Sequence, residues 1–147
     1  MRSSAGSGAA LALLLLAGAT LSAHRRDEYL QAARIAIEPG QDGRTIQPEG
    51  LRASSMNASQ QTMLLGIIEE WAGIMTDAYA SPRMAEIKNN LPQTYFAWSG
   101  PTTAGSAAYF RIQGPTLVIE YAPQGGVDHI HTIYRDPTND YGAKFGK

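Results

Sequence analysis

The sequence of 147 residues contains no cysteine. This absence excludes disulfide bonds, thiolate nucleophiles and cysteine-based zinc sites, so a metal site must use histidine, aspartate or glutamate. Charged residues are also scarce, at 17% of the chain, and the 12 basic and 13 acidic residues nearly balance to a net charge of -1. Phosphate binding relies on clustered lysine and arginine, so we expect no nucleic-acid partner.

The N-terminal segment has the features of a signal peptide. Arg2 precedes an apolar run from Ala10 to Leu21, and small residues suit cleavage after Ala23. A membrane-spanning helix needs roughly 20 apolar residues, more than this run provides. We therefore expect residues 1–23 to be removed, the mature chain to begin near His24, and the protein to be periplasmic or secreted without an integral membrane span. A retained N-terminal anchor is the alternative.

The remaining chain, 44% hydrophobic overall, predicts one globular domain after a linker. Residues 24–56 are linker-like, with a possible short strand from Arg34 to Ile37 followed by the breaks "EPGQDG" and "QPEG". The domain proper is expected over residues 57–147.

Two amphipathic helices are predicted at the start of this domain. Asn57 and Gln60 form a capping-box pattern ahead of the first helix. Its apolar residues recur at helical spacing and belong to the core: Leu64, Ile67, Ile68, Trp71, Ile74 and Met75. The second helix is expected to begin in "SPRMAEIKNNL", with Pro82 in its first turn and an apolar stripe of Met84, Ile87 and Leu91.

Aromatic and β-branched residues then indicate four strands. Their expected ranges are 94–99, 107–113, 116–122 and 129–135. The order predicts an α+β fold, with the two helices packed on a four-stranded antiparallel meander. A two-residue loop at Gly114 and Pro115 would pair Arg111 with Val118.

Alternation along these strands predicts one apolar face and one polar face of the sheet. A register shift by one residue would turn the apolar residues outward, so the parity of the pairing is well specified. We define the polar face by the residues that this parity collects: Tyr109, Arg111, Glu120, His129, His131 and Arg135.

Three segments carry a resemblance to a known family: "TYFAWSG", "YFRIQGPTLVIEYAPQ" and "DHIHTIYRDPTNDYG". With them the chain resembles the C-terminal part of the exported bacterial domain of unknown function 3500 (DUF3500) family. The family has no established activity, so the resemblance implies a fold and export but little mechanism. The family domain is longer than the matching segment, which implies a truncated member.

Three interpretations of the polar face remain open. His129, His131 and Glu120 would give a divalent transition metal three ligands and an open coordination position. Alternatively, Arg111, Arg135 and protonated histidines, flanked by Tyr109, would make a non-catalytic binding module for an anionic or hydroxylated ligand, or for a protein partner. In the third interpretation Glu120 pairs with Arg111, and the histidines are simply solvated.

The segment "RDPTNDYG" is explained mainly by turn chemistry, since Asp136, Asn139 and Gly142 suit a turn around Pro137. Asp136 and Asp140 are secondary site candidates, because carboxylates behind a histidine ligand orient its imidazole ring. Trp71 and Trp98 are expected to be core residues. Whether the protein is an enzyme is left open by these patterns.

Overall fold

The structure is a computed structural model, and it describes residues 46–124 and 126–140. The predicted signal peptide, the cleavage site near His24, the possible strand from Arg34 to Ile37 and Gly142 lie outside these residues. Within the described part of the chain, no helix is long and apolar enough to cross a membrane.

The described residues form two helices and one antiparallel sheet, which confirms the α+β class. The sheet has five strands in the order β1-β2-β3-β4-β5, rather than the four expected. Their bounds are β1 Leu51–Arg52, β2 Tyr95–Ser99, β3 Tyr109–Gly114, β4 Leu117–Pro123 and β5 Ile130–Arg135.

The unexpected strand, β1, lies in the segment that was interpreted as a linker. Leu51 pairs with Phe96 in β2, and two residues are too few to show an alternating pattern. Gly50 directs the chain into this strand with φ +93°, and a Cβ there would lie 2.1 Å from the carbonyl oxygen of Phe96. Only glycine fits this approach of the two backbones.

The hairpin between β3 and β4 has the expected parity but a different register. Gly114 pairs with Leu117, so the turn residues are Pro115 and Thr116 rather than Gly114 and Pro115. Proline suits the second position of a four-residue turn because its ring fixes φ there. The two-residue shift places Arg111 directly opposite Glu120 instead of Val118.

Helix α1 spans Ala58–Ala72, and its capping box is present as predicted. The Asn57 side chain accepts a hydrogen bond from the Gln60 amide at 3.0 Å, and the Gln60 side chain accepts one from the Asn57 amide at 2.9 Å. The predicted stripe was too long, because the helix ends before Gly73. Ile74 and Met75 are therefore exposed, at 80% and 38%, instead of belonging to the core.

Helix α2 spans Asp77–Asn90 and begins one turn earlier than expected. Thr76 precedes it, and its carbonyl accepts hydrogen bonds from the amides of Tyr79 and Ala80 at 2.9 Å. Asp77 in the first turn favours this start through the helix dipole. Pro82 consequently lies inside the helix rather than in its first turn. Met84, Ile87 and the following Leu91 are buried, as predicted.

Both helices pack on one face of the sheet, which we call the helix-covered face. Leu64, Ile68 and Ile87 from the helices meet Ile112 and Ile119 from β3 and β4 in one apolar cluster. Polar bonds also cross this contact, since Trp71 Nε1 donates to Thr132 Oγ1 at 2.9 Å. The polar face lies on the other side of the same strands.

Candidate functional site

Strand pairing assigns each predicted polar side chain a place on the sheet. Arg111 in β3 lies opposite Glu120 in β4, and Glu120 lies opposite Ile133 in β5. His131 lies opposite Ala122, two residues further along β4, and Arg135 lies opposite Val118 at the other end. His129 precedes β5 instead of belonging to it.

The centre of the polar face is buried, which the sequence did not predict. Arg111 is 1% exposed and Glu120 is fully buried. The Tyr109 hydroxyl donates to Glu120 Oε1 at 2.8 Å, whereas Arg111 Nη1 lies 4.0 Å from the same oxygen. Arg111 and Glu120 are thus neighbours, as the third interpretation expected, but they are not joined by a hydrogen bond and do not face water.

Part of the cover over this face is the chain that leads into β1. Gln113 Nε2 donates to the Ile46 carbonyl at 2.5 Å, and Arg111 Nη2 lies 3.3 Å from Glu49 Oε2. Three atoms of the central pair nevertheless have no hydrogen-bond partner in the structure as described: Arg111 Nε, Arg111 Nη1 and Glu120 Oε2. Burying such atoms without partners is unfavourable.

This burial shifts the protonation of the two acidic groups. It raises the pKa of the Glu120 carboxyl above its ordinary value, even though the Tyr109 hydrogen bond and the positive charges of Arg111 and Arg135 act in the opposite direction. Burial, followed by the negative charge of Glu120, also raises the pKa of the Tyr109 hydroxyl, which Arg111 only partly offsets. Tyr109 therefore remains a hydrogen-bond donor to Glu120.

The two histidines form a close pair at the β5 end of the polar face. Their Nε2 atoms are 2.9 Å apart, and their ring centroids are separated by 4.7 Å. At this distance one ring donates to the other, and the tautomers decide which ring is the donor. His129 is exposed and His131 is half-buried, so the pair is accessible from solvent.

The predicted three-ligand metal set is not brought together. Among residues 46–124 and 126–140, no three histidine, aspartate or glutamate side chains are placed to hold one metal ion. Glu120 is buried with its carboxylate bound to Tyr109, and the residue opposite it in β5 is Ile133 rather than His131. Glu120 therefore does not join the two histidines, which do converge.

The predicted carboxylates behind the histidines serve other residues. Asp140 Oδ1 accepts a hydrogen bond from Arg135 Nε at 3.1 Å, and its Oδ2 pairs with Arg135 Nη2. Asp136 Oδ1 accepts from the Thr138 amide at 2.9 Å, while its Oδ2 lies 3.3 Å from Arg83 Nη1. Turn chemistry explains Asp136, and Asp140 orients the Arg135 guanidinium.

A cavity on the helix-covered face was missed by the sequence analysis. It has a volume of about 400 Å³, and its aromatic wall consists of Trp71, Trp98, Phe110 and Tyr121. Trp71 and Trp98 were expected to be core residues, and they do pack against the core, but both remain half-buried. The aromatic spacing along β2, β3 and β4 was visible in the sequence, whereas the gap between α1 and these strands was not.

Comparison with known proteins gives one match. A family model described as "Protein of unknown function (DUF3500)" matches residues 8–143, which is most of the chain. No curated protein and no solved structure matches the sequence. The resemblance found from the three sequence segments is thereby confirmed.

Proposed function

Because the chain belongs to the DUF3500 family, whose description assigns no function, we propose a function from the geometry: the domain binds a divalent transition metal through His129 and His131. The observation that carries this proposal is the 2.9 Å separation of the two Nε2 atoms. The proposal concerns binding and assigns no reaction.

The separation suits two ligands of one metal ion. Imidazole nitrogens bind zinc at about 2.0–2.1 Å, so two nitrogens on the same ion lie roughly 2.9–3.4 Å apart for bond angles between 90° and the tetrahedral value. Imidazole is a good ligand for zinc, copper, iron and nickel. Two histidines leave the other coordination positions to water or to an external ligand.

The charges near the histidines support cation binding more than the sequence suggested. Arg135 is paired with both carboxylate oxygens of Asp140, and Arg111 lies beside Glu120 and Glu49. Both positive charges therefore have negative neighbours, which reduces their repulsion of a metal ion. The same pairing weakens the alternative interpretation, because an anionic ligand would have to compete with these carboxylates or enter a buried face.

Metal titration of the tag-free protein tests the proposal. We expect zinc or nickel to bind and to raise the thermal unfolding temperature, since a ligand that prefers the folded state stabilises it. His129→Ala and His131→Ala should each weaken binding more than about a hundredfold, beyond the roughly 10–100-fold loss typical of groups that only orient a ligand.

Glu120→Gln is the matched control for the ligand set. It should leave the metal affinity unchanged if the two histidines are the ligands, whereas a three-ligand site would lose affinity with it. Acetate and phosphate serve as anion probes in the same titration. Equal metal affinity in the parent and in both histidine variants would overturn the proposal, and saturable anion binding that weakens at high salt would favour the anion-binding module instead.

We also propose that the protein is exported, on the basis of the leader-like residues 1–23. The intact mass of protein recovered from the periplasm or medium of an expressing cell should correspond to a chain beginning near His24. Recovery of the full-length mass from the cell interior alone would contradict export.

A further inference from the structure

The cavity on the helix-covered face is built by a row of stacked rings. Trp98, Phe110 and Tyr121 are cross-strand neighbours on β2, β3 and β4. The Trp98 and Tyr121 rings lie 6.3 and 5.2 Å from the Phe110 ring, each with an interplanar angle of 6°. Trp71 from α1 meets the Phe110 ring edge-on at 5.7 Å and 84°. The result is a row of stacked rings, with Trp71 meeting its middle ring edge-on.

The two indole N–H groups of the aromatic wall are already engaged in hydrogen bonds within the protein. Trp71 Nε1 already donates to Thr132 Oγ1 at 2.9 Å, and Trp98 Nε1 donates to the Gly100 carbonyl at 3.1 Å. The π faces of aromatic rings carry partial negative charge and attract cations. An apolar ligand body therefore suits these walls, and a positive charge is favoured at the ring faces that the stacking leaves uncovered.

One carboxylate side chain, Glu70, is among the described residues that line the cavity. Glu70 is exposed on α1, and no basic side chain is paired with it in the described part of the chain. Its carboxylate adds negative charge beside the aromatic wall. Charge complementarity thus points to a cation with a flat or apolar body.

The size and position of the cavity also suit a small molecule. A volume of about 400 Å³ lies within the range of roughly 300–1,000 Å³ that is typical of ligand sites. The exposed segment 102–105 and the half-exposed Val127 form part of its lining, so the site opens to solvent. It is on the opposite face of the sheet from His131.

We propose that this cavity binds a small organic cation, an amine attached to an aromatic or apolar body. The aromatic row would hold the body of the ligand, and Glu70 would interact with its ammonium group. This site does not depend on the metal site, because it uses none of the same residues.

Three matched probes test the charge preference: 2-phenylethylamine, neutral 2-phenylethanol and anionic 3-phenylpropionate. The chain contains two tryptophans, Trp71 and Trp98, and both line the cavity, so tryptophan fluorescence reports directly on its occupation. We expect a saturable change with the amine, and binding of the anion about tenfold weaker or more. Equal affinity for the amine and the anion, or no saturable change with any probe, would overturn the proposal.

Two variants separate the charge from the cavity wall. Glu70→Gln should remove most of the preference for the amine while leaving binding of 2-phenylethanol unchanged. Glu69→Gln is the matched control, because Glu69 is the adjacent exposed acid and does not line this cavity. Trp98→Leu should weaken all three probes, with Trp71 still available for detection. An unchanged amine preference in Glu70→Gln would contradict the assigned role of the carboxylate.

Discussion

At the centre of the sheet both faces are buried, but by different chemistry. Ile119 and Glu120 are neighbours in β4, both fully buried, and they point to opposite faces. Ile119 packs in the apolar cluster beneath the helices, where burial of about 25 cal/mol per Å² of apolar surface is favourable. Glu120 is buried beside Arg111, where the loss of hydration has to be compensated atom by atom. Burial alone therefore does not indicate which side of a sheet stabilises it.

The polar face is incompletely compensated in the described structure. Tyr109 provides Glu120 with one good hydrogen bond, but Arg111 remains 4.0 Å from the carboxylate. Buried charge pairs of this kind often contribute less to stability than an apolar pair of the same size, although removal of one partner is costly. The difference between the faces can be tested by changing one partner at a time.

The largest effect is expected from Arg111→Met. This change leaves Glu120 buried without its positive neighbour, so the free energy of unfolding at pH 7 should fall by about 3–5 kcal/mol. Chemical denaturation of the parent and variant measures the loss. A loss below about 1 kcal/mol would show that Arg111 does not compensate the carboxylate.

The double variant Arg111→Met/Glu120→Leu provides the control. It removes both charges and keeps apolar volume on the polar face, so most of the lost stability should return. If the double variant were less stable than Arg111→Met, the polar face would owe its stability to the pair itself, and the contrast between the two faces would disappear.

Much of the fold followed from local patterns in the sequence. The capping box at Asn57, the strand order and the parity of β3 and β4 were correctly predicted, because each depends on residues close together along the chain. The register of this hairpin depends on whether Pro115 is the first or the second of the two turn residues. The alternating pattern allowed either choice. Strand β1 has only two residues, so its existence depends on pairing with the distant Phe96.

Less of the candidate site followed from the sequence. Alternation predicts which residues share a face, but it does not say whether that face meets water, so the burial of Glu120 was missed. The convergence of His129 and His131 was predictable from their spacing of two residues. The cavity beside Trp98 depends on the distance between α1 and the sheet, which no local pattern specifies.

A smaller effect, and a direct comparison between the faces, is expected from two tyrosine variants. Tyr109→Phe removes the one short hydrogen bond to buried Glu120 and should cost about 1–3 kcal/mol. Tyr121→Phe removes the same atom on the helix-covered face, where the described residues offer its hydroxyl no hydrogen-bond partner, and should change stability by no more than about 0.5 kcal/mol. Urea denaturation curves of the two variants give the comparison. Equal losses would mean that the hydroxyl on the polar face has no special role.

The smallest effect is a dependence on pH that belongs to the polar face alone. Burial raises the pKa of Glu120 in the folded protein above its ordinary value of 4.5, so the folded state holds this proton more tightly than the unfolded chain does. The stability contributed by the protonated carboxyl is complete below the ordinary pKa and is lost as pH rises through the raised folded pKa. The free energy of unfolding that this group contributes changes by at most about 1.4 kcal/mol for each pH unit.

Glu120→Gln removes this titration, so its stability relative to the parent should improve as pH rises through that window. Ile119→Val, on the helix-covered face, should instead cost about 0.5–1.5 kcal/mol at every pH, because it removes a methylene and no ionisable group. Unfolding free energies measured across pH 4 to pH 8 would show two different profiles, and a difference between Glu120→Gln and the parent that stays constant over this range would contradict the raised pKa of Glu120.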